Sequence, residues 1–487
     1  MLELSQPGMI KGVTAVFTTM TDPRKGKNSR YTFTTVALTA FGGFFLQSPS
    51  FLSFQRMMQE KTGRNNAKNL FGVDPIPSDD QIRYVLDLVT EEHLLLLYDF
   101  FFMLLAAFEA AGHVKDFRIK ELGNALLVAY DGTDHFSSST LHCPACRVKT
   151  YEDGSKIYSH GMINPVIVSP AKKGTVISLP PEFITTKDGE KKQDCEINAS
   201  KRLLTRDKQQ LARRNVTILG DDLYAHEPFC QEVLDAGCHF ILVCKEDSHK
   251  TIYGWSKGAR SKKVTDTFDG KKHLLTTYEY IEAVPIREKT KKTDEPLLVN
   301  FVEVTITERQ GGKQKYHNAF ITNHKLIMRT DQQTEERLKT IVACGRARWK
   351  TENENNNALK NYGYFLEHNF GHGEHVANIL TTLILLSFLM HTILSFTDHQ
   401  YEAIRLKLTS KQIFFRDVSA LTKYFPFADF QQLTSFMITS LTNQMSPEEI
   451  LTFFRLNQTQ PQETSPPTES IQKTKAGEEA KFVTEQA

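Results

Sequence analysis

The sequence predicts a mixed α/β chain, a sheet core flanked by helices on both sides. Three observations predict it. Short apolar runs at 124–131, 160–170 and 174–184 follow one another as β-type segments. Past them the pattern alternates, with a polar helix over 198–215, a strand at 216–220, a helix from about 226 to Ala236 stopped by Gly237, and a strand at 239–245. Long stretches of helical character lie before and after, over 1–120 and 331–456.

Residues 1–120 read as a helical N-terminal domain. "SDDQIRYVLDLVTEEHLLLLYDFFFMLLAAFEAAG" opens on Ser78, with Gln81 three residues on, and closes at Gly112. Residues 52–64 are also helical in character, and 22–33 form a basic, glycine-containing segment. Such a region suits DNA contact as well as it suits a helical adaptor with a solvated face. Residues 121–246 hold the first part of the core. Three strands and then helix, strand, helix, strand imply an antiparallel meander joined to parallel βα units, the order of a ribonuclease-H-like mixed sheet. Residues 247–330 break the alternation with period-two runs, many lysines and glycine turns at Asp269-Gly270 and Gly311-Gly312, which predicts a β-rich insertion. Residues 331–456 return to helix, and the polar, proline-containing 457–487 reads as a disordered tail.

Bulk composition narrows the class. With 487 residues, 40% hydrophobic and 24% charged, the chain has ample material for a buried core and no fibrous bias. The net charge of +2 does not advertise nucleic-acid binding, so local basic stretches must carry that case. Seven scattered cysteines fit a reducing compartment. "MLELSQPGMIKGVTAVF" lacks a basic region followed by an apolar one, so a cytoplasmic location is expected. The apolar run 94–108 is short for a membrane span and carries Asp99, and 376–396 includes Asn378 and His391, so both are expected as buried helices.

Two carboxylates end strands. Asp131 follows the first and Asp221 the fourth, and in a meander joined to βα units those strands are neighbours. Facing carboxylates raise each other's pKa unless a cation sits between them. A pair of Mg²⁺ ions held there, about 3.5–4 Å apart, is the arrangement that cleaves phosphodiesters. "RARWKTENENNN" supplies a third acid, Glu352, with Glu354 and Asp222 as rival positions. Each has a plain alternative: Asp131-Gly132 as a turn, Asp221 or Asp222 as a helix cap, Glu352 and Glu354 as solvated helix residues.

These segments resemble DDE insertion-sequence transposases, within the broad group that carries a β-rich insertion and a Tyr-x2-Arg-x3-Glu-x6-Lys signature around its last acid. "LLVAYDGT" is similar to the first-acid strand, "VTILGDDLYAH" to the second, and "RARWKTENENNNALKNYGY" to the third-acid helix. The likeness spans roughly 120–395, with a weaker one at "IPSDDQIRYVLD". It implies that Asp131, Asp221 and Glu352 are catalytic metal ligands for Mg²⁺ or Mn²⁺. It also implies Arg348 on DNA phosphate, with Trp349 and Lys360 beside the DNA. Double-stranded DNA at transposon ends and target, and a homodimer holding two ends, are the implied partners, with no membrane. The signature's tyrosine falls on Gly345 and its lysine on Leu359, one residue before Lys360. Alternatives are a DNA-binding relic without activity and a metal nuclease of the same architecture acting on another nucleic acid.

A second metal site is half-written. Cys143 and Cys146 form a Cys-x2-Cys pair, with His135, His142 and His160 nearby, and such ligands suit Zn²⁺. No second such pair completes it, so free loop thiols are the expected state. The histidines of "GHGEH" (371–375) are expected to be loop or capping residues.

Overall fold

The computed structural model describes residues 2–25, 29–59, 61–185, 195–268, 270–289, 295–408, 410–443 and 445–456. The predicted tail and Asp269 lie outside the described residues.

Six helices come first: α1 (Gln6–Thr19), α2 (Phe33–Phe45), α3 (Phe51–Gln59), α4 (Lys61–Phe71), α5 (Asp79–Leu86) and α6 (Glu91–Ala110). The single helix expected from Ser78 to Gly112 is two. Ser78 caps α5, its Oγ accepting the Gln81 N–H at 3.3 Å. The chain then leaves the helix, and Thr90 with His93 forms a capping box that opens α6. Asp87, in the break, is recruited elsewhere. Its Oδ1 accepts the N–H groups of His375 and Val376 at 2.8 and 2.9 Å, where a later helix begins. Gly112 ends α6 with φ +81°, as the sequence suggests.

The strands are β1 (Arg118–Ile119), β2 (Ala125–Ala129), β3 (Gly132–Ser138), β4 (Arg147–Thr150), β5 (Lys156–Ile163), β6 (Val166–Val168), β7 (Ile177–Ser178) and β8 (Glu182–Ile184). They continue with β9 (Val216–Gly220), β10 (His239–Val243), β11 (Ser261–Phe268), β12 (His273–Pro285), β13 (Leu298–Glu308) and β14 (Gln314–Thr322). The chain is mixed α/β, and its main sheet has ten strands ordered β11-β12-β13-β14-β10-β9-β2-β6-β7, with β1 against β2. β2, β9 and β10 are parallel; β6, β7 and β14 join antiparallel. Strands β2 and β9 are neighbours, as the meander argument requires. The β-rich segment is no separate layer: β14 pairs with β10 and carries the main sheet outward. Its Gly311 and Gly312 turn at φ +81° and +61°, between β13 and β14.

Two strand readings are corrected: the run expected over 174–184 divides at Pro180-Pro181 into β7 and β8, which belong to different sheets. The run expected over 160–170 divides at Asn164-Pro165, where proline offers no N–H to a ladder. Residues up to Ile163 belong to a second sheet, β3-β5-β4 with β8 on β5, and Val166 onward to the main sheet. This second sheet starts at Gly132, directly after Asp131. Arg202 and Arg206 tie it to α7 (Glu196–Ala212), each bonding Glu182 of β8 at 2.9 Å.

The remaining helices are α8 (Glu227–Asp235), α9 (Lys250–Ser256), α10 (Asp331–Arg346), α11 (Asn357–Asn361), α12 (Val376–Thr397), α13 (His399–Lys407), α14 (Lys411–Tyr424), α15 (Phe430–Asn443) and α16 (Pro447–Leu456). Helices α6 and α12 are both long and apolar enough to cross a membrane. Helix α12 sits in the core with 89% of its apolar window buried, whereas α6 buries 56% of its own and leaves Leu95, Leu96 and Met103 exposed. N- and C-terminal helices share that core. Buried Asn66 on α4 donates to the carbonyls of Thr422 and Phe425, both at 2.7 Å, and accepts the Phe427 N–H at 2.8 Å.

Candidate active site

Strands β2 and β9 run in register with Ala129 opposite Leu219, and the Tyr130 N–H donates to the Leu219 carbonyl at 2.8 Å. Asp131 and Asp221 therefore emerge level with each other at the carboxyl ends of adjacent parallel strands, where open α/β sheets place ligands. Asp221 also caps the short turn 222–224, its Oδ1 accepting the Leu223 N–H at 2.9 Å. Asp222 faces away from Asp131. Its Oδ1 accepts the Lys245 N–H at 2.6 Å and lies 3.2 Å from His249 Nε2.

The third acid comes on an irregular helix. After α10 the chain tightens into a 3₁₀ turn at Ala347–Trp349, then widens into a π-helical stretch, Thr351–Asn356, before α11. Such widened turns concentrate at functional sites. Arg348, Glu352 and Asn356, spaced by four, lie along the side facing Asp131. The Arg348 guanidinium donates to Glu352 Oε1 at 3.2 Å and stands 3.6 Å from Asp131 Oδ1. Asn356 Nδ2 donates to Asp131 Oδ2 at 3.3 Å. Two residues from Glu352, Glu354 points the other way, into a buried ion pair with Lys350 at 2.9 Å. Lys350 also donates to the Lys172 carbonyl. Glu352 has a side chain 56% exposed, against 11% for Glu354. Of the two acids, only Glu352 is placed to work with Asp131.

A fourth carboxylate joins them that the sequence reading missed. Glu196, in the first turn of α7, accepts the Gly132 N–H at 3.1 Å and the Tyr224 hydroxyl at 2.7 Å. A Cβ at Gly132 would meet its carboxylate at 2.5 Å, so any larger residue there would displace the Glu196 side chain. Burial pushes Asp131 from 3.8 up to about 7; Arg348 counters this, while Glu352, Glu196 and Asp221 add to the rise. Asp131, Asp221 and Glu352 offer carboxylate oxygens alone, the donor chemistry of a hard cation such as Mg²⁺, but among the described residues they are not drawn within 4.8 Å of one another.

The signature's departures have physical reasons. Gly345 cannot be tyrosine here, because a Cβ would stand 2.5 Å from the Phe320 ring of β14. Leu359 is fully buried. Lys360 pairs with Glu367 at 2.7 Å, and Trp349 is 48% exposed beside Arg348. The asparagines form an internal chain, Asn355 and Asn164 both donating to Asn356 Oδ1 at 3.0 and 3.3 Å.

Among the described residues, one group of metal-type ligands is drawn together within 4.8 Å: Cys143, Cys146, His160 and His372. His372 lies in the loop before α12 and His375 is that helix's N-cap, as expected, but His372 also joins the Cys-x2-Cys pair and His160, which the sequence reading left out. His135 instead bonds Thr381 at 3.0 Å, and the His142 ring packs at a tilt against Tyr158, centroids 4.6 Å apart. Burial lowers His160 to about 4, with His372 adding to the shift. No protein-family model matches the chain, and comparison with curated proteins finds no match.

Proposed function

We propose that the chain is a DDE-type transposase that cuts and joins double-stranded DNA at the ends of an insertion sequence, working in the cytoplasm as a homodimer. One observation carries this reading: Asp131 and Asp221 share the carboxyl ends of adjacent parallel strands, and Arg348 on an irregular helix links Glu352 to Asp131. The strand order β7-β6-β2-β9-β10, an antiparallel meander continued by two parallel strands, supports a ribonuclease-H-like core. Magnesium or manganese, when bound, would lower the barrier to in-line attack on a phosphodiester by stabilising the attacking and leaving oxygens. Asp131, Asp221 and Glu352 would hold it.

The chain's own groups divide the remaining work. Asn356 orients the Asp131 carboxylate, and Glu196 fixes the Gly132 backbone next to it. Arg348 bridges Asp131 and Glu352 in the free protein. On DNA it turns to a phosphate near the cut, a partner its planar guanidinium can grip with two hydrogen bonds. Trp349 offers an exposed aromatic face alongside. Lys360 reaches DNA only by leaving Glu367.

A second reading, a DNA-binding relic, is favoured by the Arg348 bridge, which fills the space between Asp131 and Glu352. End cleavage separates the two. DNA carrying the element's ends is incubated with wild type, Asp131→Ala, Asp221→Ala or Glu352→Ala, in Mg²⁺, Mn²⁺ or EDTA. The transposase reading requires metal-dependent nicking at the ends, lost in all three variants. End binding without nicking in any metal supports the relic.

A further inference from the structure

We infer that Cys143, Cys146, His160 and His372 bind one structural zinc ion that staples the second sheet to the entrance of α12. The argument is geometric. The two sulfurs are 3.8 Å apart, Cys143 and Cys146 lie 3.3 and 3.4 Å from His160 Nε2, and Cys146 lies 3.4 Å from His372 Nε2. A tetrahedral zinc, with Zn–S about 2.3 Å and Zn–N about 2.0–2.1 Å, sets sulfurs ~3.8 Å apart and sulfur and nitrogen ~3.6 Å apart. These four edges lie within about 0.3 Å of that polyhedron, and all four ligand atoms lie within 4.8 Å of one another.

The local backbone is built for it. Cys143-Pro-Ala-Cys146 makes a tight turn, with the Cys146 N–H on the Cys143 carbonyl at 3.1 Å. The backbone at Ala145 and Cys146 hydrogen-bonds the Cys143 sulfur and holds it in place. The Phe136 ring lies 4.3 Å from the His372 ring and 5.8 Å from the His160 ring, shielding both ligands. Two thiolates and two imidazoles select zinc over magnesium or calcium, and four protein ligands leave no open position for substrate.

The ligands come from three segments: the turn between β3 and β4, strand β5, and the loop before α12. Cys146 and His372 are 226 positions apart. Gly132 of β3, next to Asp131, pairs with Ile163 of β5. Zinc would thus pin the hairpin that follows Asp131 against the helical core. This inference stands whatever the acids do.

The test uses the reduced full chain, purified without chelator. Zinc is measured per chain by elemental analysis in wild type, Cys143→Ser, His372→Ala and His142→Ala. The expected result is one zinc ion in wild type and in His142→Ala, with strong loss in the other two. Loss of an outer partner to a ligand typically costs 10–100-fold in affinity, so His372→Ala should cost at least ~100-fold. Cobalt replacing zinc should give the visible spectrum of a tetrahedral site with thiolate ligands. Because Cys143→Ser can fail to fold, His372→Ala, on a half-exposed loop, carries the decision. Reduced, folded wild type that takes up neither metal overturns the proposal. So does His372→Ala with wild-type affinity, or a Cys143–Cys146 disulfide in protein purified from the cytoplasm.

Discussion

Asp131→Asn should make the metal-free protein more stable, and increasingly so as pH rises. Asp131 is raised from 3.8 to about 7, chiefly by burial, so its ionised form is disfavoured in the fold. A raised carboxyl favours the fold fully below its unfolded value, and that contribution is lost as pH climbs through the folded value. Below about pH 4 the residue is protonated in both states and the substitution is near neutral. Between about pH 4 and 7 the unfolded chain ionises while the fold keeps its proton, so wild-type stability falls with pH. At ~1.4 kcal/mol per tenfold in proton affinity, the full effect is ~4 kcal/mol. The side chain is 18% exposed and Arg348 stands 3.6 Å away, so ~2–4 kcal/mol above pH 7 is the working figure. Asparagine keeps an oxygen that can accept from Asn356. The assay is thermal or urea unfolding of wild type and Asp131→Asn in EDTA, from pH 4.5 to 8.5. The gap should open with pH and shrink when Mg²⁺ is added, because the cation relieves the charge in wild type alone. A gap independent of pH, or a variant less stable at pH 8, refutes the reasoning.

Other outcomes follow from the same geometry. Asn356→Ala removes the hydrogen bond to Asp131 Oδ2, so the acidic limb of the pH–rate profile should move to higher pH while end-DNA binding is unchanged. Lys350→Ala leaves Glu354 buried without its partner and should cost ~3–5 kcal/mol in urea unfolding, with Lys350→Ala/Glu354→Gln recovering part of it. Gly345→Ala drives a methyl against the Phe320 ring and should cost ~1–3 kcal/mol, which Phe320→Leu should relieve.

Elements governed by local rules were legible. Strand β9 falls on Val216–Gly220 as read, and α8 stops before Gly237, because a short apolar run and a left-handed glycine act within a few residues. The adjacency of Asp131 and Asp221 was legible too, since it depends only on strand order. Long-range chemistry was not. Asp87 interrupts a helix whose pattern is continuous, because it caps α12 far along the chain. His372 completes a cluster with Cys146, and Glu196 reaches Gly132, through folding that no local spacing encodes. Asn356 reaches Asp131 through packing that the run of asparagines in the sequence does not specify.

Joining a pre-cut element end to target DNA isolates the chemistry from end recognition, and it tests the central claim most directly. The substrate carries a free 3′-hydroxyl, and wild type is compared with Asp131→Ala, Asp221→Ala, Glu352→Ala, Asp222→Ala and Glu354→Gln in Mg²⁺ and Mn²⁺. The account predicts metal-dependent joining by wild type, none by the first three, and joining retained by Asp222→Ala and Glu354→Gln. Joining by Glu352→Ala, or its loss in Glu354→Gln that still folds, would contradict it.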